Sequence, residues 1–79
     1  MRKFAKFVTE FYSVERPNRK FLREGQALMT FLNIFDTEEY NKISSLYYYD
    51  ETNIDCFYID ELIGNTLVHL MNVWENHKV

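Results

Sequence analysis

The sequence predicts a mainly all-α fold. It reads as one small domain, residues 1–79, built as a three- to four-helix bundle with an aromatic loop or a short β-hairpin at about 46–60. Three observations carry that expectation. Apolar residues recur at helical spacing in several segments. A chain of 79 residues holds one domain at most, and a domain of this size buries only roughly 60–65% of the surface that its unfolded chain exposes. The hydrophobic fraction of 47% argues against disorder, and the 18% of aromatic residues exceeds what a small core can hide. Some rings are therefore expected at the surface or in an interface.

The first element is an amphipathic helix over residues 2–14. Phe4, Phe7, Val8, Phe11 and Tyr12 share one face, with Lys3, Lys6, Glu10 and Ser13 opposite. Pro17 disfavours helical geometry at Arg16 and is expected to end this element. Asn18 can then cap a second helix over about 19–35. Its stripe is Phe21, Gly25, Leu28, Leu32 and Phe35, flanked by Leu22 and Met29. Gly25 lies in the middle of that apolar face, where it costs about 1 kcal/mol relative to Ala. A close approach by another helix or ring would explain it. An alternative start near Gly25 would make residues 16–24 a loop.

Asp36 followed by Glu39 fits a capping box that opens a short third helix, with Tyr40, Ile43 and Tyr47 on its inner face. Residues 46–60, LYYYDETNIDCFYID, favour strand by their rings, yet Asp50–Asn53 could turn either a hairpin or a loop. The loop is preferred, because an isolated hairpin is marginal. The last helix is expected from about Glu61 to Asn76, with Asp60 as its cap. Leu62, Ile63, Leu67, Leu70, Met71, Val73 and Trp74 cover more than half of its circumference, which suits the centre of a bundle or an oligomer interface. Asn65, His69, Asn72 and Asn76 form its polar side. A homodimer is expected, with Leu70 and Trp74 near its interface.

Charge is unevenly placed. Residues 1–24 hold seven Lys/Arg against three Glu, and residues 25–79 hold two Lys against nine Asp/Glu, for a net −3. Complementary ends of a bundle account for this, as would a surface that recognises charge. The single cysteine, Cys56, forms no internal disulfide, and an intracellular setting is expected. No apolar run approaches the roughly 18–20 residues of a membrane span. The basic start MRKFAKF is not followed by the apolar stretch of a signal peptide.

No residues present themselves as catalytic, and none as metal ligands. His69 and His77 match no zinc spacing, and Cys56 has no evident base. The acidic pairs Glu38-Glu39, Asp50-Glu51 and Asp60-Glu61 are sequence neighbours, which suits caps and turns better than acid/base dyads. The chain is thus expected not to be an enzyme and to need no cofactor. Two features could carry binding. Arg19, Arg23 and Gln26 would fall within about 60° on the second helix, with guanidinium forks suited to phosphate or carboxylate. Against this stands the plain reading of a solvated helix face. Tyr47, Tyr48 and Tyr49 offer flat amphipathic rings of the kind enriched at interfaces, or a small satellite core. Gly25, Phe57 and Trp74 are read as structural. The net negative charge argues against nucleic acid.

The segments REGQALMTFLNIF and DCFYID together resemble small uncharacterised tailed-phage proteins. Those pair an Arg-x-Gly-Gln-Ala helix with a later Asp-x-Phe-Tyr-x-Asp segment. Arg23, Gly25, Gln26, Ala27, Asp55, Phe57, Tyr58 and Asp60 match in type and order. The likeness covers residues 21–74, and the chain departs from it at Cys56 and at the extra tyrosines 47–49. It implies a phage origin and a place in the host cell cytoplasm, but brings no activity with it. The expected function is a non-enzymatic phage accessory protein that binds and modulates a host or phage protein. The alternatives are a protein sequestering a small anionic, nucleotide-like ligand, and a nucleic-acid-binding regulator.

Overall fold

The computed structural model of the chain describes residues 2–44 and 54–75. Helix α1 (Lys3–Glu10) runs through a π-helical segment, Phe11–Glu15, into α2 (Arg16–Asn18), so that one continuous rod passes straight across Pro17. Arg16 keeps right-handed helical angles, φ −62° and ψ −47°. The expected stop at Pro17 is therefore wrong, and the wide turn supplies the reason. A proline ring in an α-helix collides with the carbonyl four residues earlier. Here the preceding turn is widened, with the Arg16 N–H bonded to the Phe11 carbonyl five residues back.

Residues 19–23 form a tight connection, with the Leu22 N–H on the Arg19 carbonyl at 3.0 Å. Helix α3 (Glu24–Phe35) begins only after it, with Arg23 as the N-cap residue. The later of the two expected starts is thus the correct one, and Asn18 belongs to the first rod instead of capping the second. Phe21, expected on the inner stripe, is 81% exposed because it sits in the connection. The rest of the stripe holds, with Gly25, Leu28, Leu32 and the flanking Met29 buried and Phe35 packed against the core, while Ala27 and Phe31, outside that stripe, are buried as well.

Asp36 opens α4 (Thr37–Ser44) as expected, its Oδ1 accepting the Glu39 N–H at 3.1 Å. The reciprocal half of the capping box is absent, because the Asp36 N–H is already bonded to the Leu32 carbonyl at 2.8 Å. Glu39 turns inward to His69, across 2.7 Å. On α4, Ile43 is buried and Tyr40 packs against the core. Residues 54–59 form no strand, which fits the loop; Tyr47, Tyr48 and Tyr49 lie outside the described residues, so any hairpin partner lies there too. A 3-10 turn (Asp60–Leu62) leads into α5 (Ile63–Glu75).

The core is aromatic. The Phe7 ring stacks on Phe31 at 5.2 Å and on Phe11 at 6.5 Å, and meets Phe35 and Trp74 edge-on at 5.2 and 5.3 Å. Such pairs are worth about 0.5–1.5 kcal/mol beyond the area they bury. Leu70 is fully buried and Trp74 is 9% exposed, both within this chain's own core. They are thus not free to form the expected dimer contact. His69, expected on the solvated side, is instead half-buried against Glu39.

Beside this core, Asp36 Oδ2 accepts from Lys3 Nζ at 2.9 Å and Trp74 Nε1 at 3.1 Å, and the Lys3 ammonium lies 5.1 Å from the Trp74 ring centre. Burial pushes the Asp36 carboxyl up, but the Lys3 ammonium and the Glu39 and Trp74 N–H groups outweigh it and hold it below its ordinary 3.8. No described helix is long and apolar enough to cross a membrane.

Candidate binding site

The segment after residue 53 is built by short-range chemistry. The Asp55 side chain accepts the Phe57 N–H at 2.9 Å, closing an Asx turn. The Ile59 N–H reaches the Cys56 carbonyl at 3.3 Å. The buried Thr66 hydroxyl ties the Ile54 carbonyl to α5. Cys56 is fully buried, its Sγ 3.7 Å from the Gly25 carbonyl. Desolvation pushes its thiol above the ordinary value, which opposes the thiolate that a nucleophile needs.

Gly25 is where this segment meets α3. A Cβ there would collide with the Cys56 carbonyl oxygen and stand 2.8 Å from Asp60 Oδ1. The close approach expected at Gly25 is therefore real, but its partner is backbone and not a helix or a ring. Asp60, expected to cap its own helix, caps α3 instead: its Oδ1 accepts the Gly25 N–H at 3.0 Å. Arg23 completes the joint, with NH1 on the same Asp60 oxygen at 3.1 Å and NH2 on the Phe57 carbonyl at 2.8 Å.

The expected stripe of Arg19, Arg23 and Gln26 does not form. Arg19 ends the first rod and pairs with Glu15 at 3.1 Å. Arg23 is bonded across the fold as above. Gln26 is half-buried on α3, its carbonyl taking the Thr30 hydroxyl. Arg16, which the sequence places beside that basic stripe, instead turns inward: its NH1 donates to the Leu22 carbonyl at 2.6 Å and fixes the 19–23 connection. Tyr12, expected on the apolar face of the first helix, is 44% exposed, and its hydroxyl donates to Glu24 at 2.9 Å. Burial, then the Glu24 hydrogen bond and charge, push the Tyr12 phenol from 10.0 to about 12.

The result is two loops held by side-chain bonds and joined to each other through Arg23. Each presents a large ring to solvent. Phe21 is 81% exposed on one loop, and Tyr58 is 80% exposed on the other, next to Ile59. Phe57, which Arg23 holds by its carbonyl, meets the Tyr58 ring edge-on at 4.8 Å. Behind Tyr58 an open groove of about 220 Å³ is lined by Tyr40, Ser44, Asp55, Phe57 and Tyr58. The sequence points to the tyrosine run for exposed rings, whereas among the described residues the most exposed rings are Phe21 and Tyr58. Among the described residues, no three His, Cys, Asp or Glu side chains gather as a metal site. No protein-family model, curated protein or solved structure matches the chain.

Proposed function

We propose that the chain is a non-enzymatic accessory protein that works by docking onto another protein through its Phe21–Tyr58 end. The observation that carries this reading is the exposure of Phe21 and Tyr58, at 81% and 80%, on two loops that Arg23 ties together. Exposed rings are costly to leave in water, and aromatic residues are the groups most enriched in interface centres. Arg16, Arg23 and Asp60 hold the loops in advance, so little ordering entropy is lost on docking. The resemblance of the Arg23–Ala27 and Asp55–Asp60 segments to small tailed-phage proteins supports a phage accessory role, with a host or phage protein as the partner. The anionic-ligand alternative has less support, since Arg19 and Arg23 both spend donors inside the fold.

Capture from infected-cell lysate, with mass spectrometry of both proteins and small molecules, tests the reading. Wild type should retain a stoichiometric protein that Phe21→Ser and Tyr58→Ser each lose, with thermal melts unchanged. Equal recovery by wild type and Phe21→Ser would remove this surface from consideration. A retained small molecule with no protein would favour sequestration.

A further inference from the structure

We infer that the wide turn Phe11–Glu15 positions the Phe21 loop for docking and that Pro17 locks the turn in that register; this rests on the docking role proposed above and names the residues that set its geometry. A π-helical turn holds one residue more than the α-helical turn it replaces, and such single-turn bulges recur at functional sites. The extra residue changes which side chains face inward. Phe7 and Phe11 are buried on the first rod. An α-helix would carry their line on through Val14 and Asn18. Both are exposed, and Glu15, Arg16 and Arg19 are half-buried instead. The wide turn has thus moved the inner line on by one residue, exchanging Val14 and Asn18 for Glu15 and Arg19, with Arg16 beside them.

That exchange fixes the loop. Arg16 NH1 donates to the Leu22 carbonyl at 2.6 Å, Glu15 holds Arg19 at 3.1 Å, and Tyr12 holds Glu24 at 2.9 Å. These bonds grip the start of the connection, the residue after Phe21 and the first residue of α3, while the Phe21 ring stays in solvent. In an α-helical register the Arg16 guanidinium would turn by about 100° away from the Leu22 carbonyl. Pro17 forbids that register. Its ring would collide with the Ser13 carbonyl four residues earlier, and it has no N–H to close the turn. The wide turn accommodates the proline, and the proline in return holds the turn open.

The test compares variants of the full chain by amide hydrogen exchange and by capture from infected-cell lysate. Pro17→Ala lets the turn close to an α-helix, and Arg16→Met keeps the stem but removes the anchor. Both should stay folded and lose the partner. In both, the Leu22 N–H, which is bonded to the Arg19 carbonyl at 3.0 Å, should lose protection by about tenfold or more. Deleting Ser13 from the Pro17→Ala chain takes out the extra residue, so that an α-helical turn brings Arg16 back to the inner line. It should restore both the Leu22 protection and the partner. A proline that mattered only for stability would give no such rescue, because the deletion would add damage. Wild-type protection of Leu22 in either single variant, or no rescue by the deletion, would overturn the inference. So would a partner kept by Pro17→Ala while Leu22 protection falls. The docking reading is scored separately: a partner kept by Phe21→Ser removes it, whatever Leu22 shows.

Discussion

Asp60 caps a helix that begins 36 residues before it, its Oδ1 accepting the Gly25 N–H at 3.0 Å while its own 3-10 turn starts without a side-chain cap. The first turn of any helix leaves N–H groups without partners, and an acidic side chain usually satisfies one from the adjacent position. Here Arg23 occupies that position and cannot accept. The acceptor arrives from a segment 35 residues away in sequence, and Arg23 binds the acceptor.

Replacing Asp60 with Ala should cost about 1–2 kcal/mol, the usual loss of an N-cap. Asp60→Asn, which keeps an acceptor oxygen, should cost less. Arg23 and Asp60 are both nearly half exposed, so their ionic attraction adds little by itself. Arg23→Ala should still destabilise, through the Phe57 carbonyl. In a double-mutant cycle the two losses should fall short of additivity by about 0.5–1 kcal/mol. Full additivity in urea unfolding would show that the two residues act independently.

The two glycines should respond in opposite directions. In a helix interior, Gly to Ala normally gains about 1 kcal/mol. Gly64 has open space where a Cβ would stand, so Gly64→Ala should stabilise by a few tenths to about 1 kcal/mol. Gly25→Ala would drive its methyl into the Cys56 carbonyl. It should lose about 2 kcal/mol or more, since overpacking against backbone cannot relax cheaply. A Gly25→Ala melt at or above wild type would refute the backbone contact.

Asp36 predicts acid sensitivity. Its folded pKa lies below the ordinary 3.8, which the unfolded chain keeps. The unfolded state therefore takes up the proton first as pH falls. The stabilisation is complete well above 3.8 and is lost as pH drops below it, through the folded value. Asp36→Asn should be less stable than wild type near pH 7, and the gap should narrow at about pH 3. A gap that is constant with pH would show that the Asp36 charge contributes nothing.

Tyr12 predicts the opposite edge. Its folded pKa, about 12, lies above the ordinary 10.0. Its contribution is whole below pH 10 and is lost as pH rises through that interval, because the unfolded chain gives up the proton first. Ultraviolet titration should find one phenol ionising near pH 12, and Tyr12→Phe should remove it.

The helices were largely legible because periodicity is local information. Phe7, Phe11, Leu28, Leu32 and Ile43 all occupy the inner faces that their spacing assigned to them. Gly25 was recognisable as a close approach for the same reason. The connections were not legible. Pro17 is a reliable stop only if the preceding turn stays α-helical, and the π-helical turn removed that condition. With α3 starting at Glu24 and not at 19, Phe21 and Arg19 fell off the helix and the basic stripe dissolved. Glu39 with His69 and Asp60 with Gly25 are 30 and 35 residues apart, and no periodic signal spans such separations.

Cys56 gives this fold a built-in gauge. It is the chain's single thiol, it is fully buried, and its sulfur faces the Gly25 carbonyl at the joint between α3 and the loop. A disulfide reagent can reach it only when that joint opens. The labelling rate, divided by that of the unfolded chain, therefore measures how often the two segments part. Because the joint also carries Tyr58, the same rate should fall when a partner seats on the exposed rings. One colorimetric time course would then follow both the breathing of the molecule and the occupancy of the proposed docking end, with no residue changed.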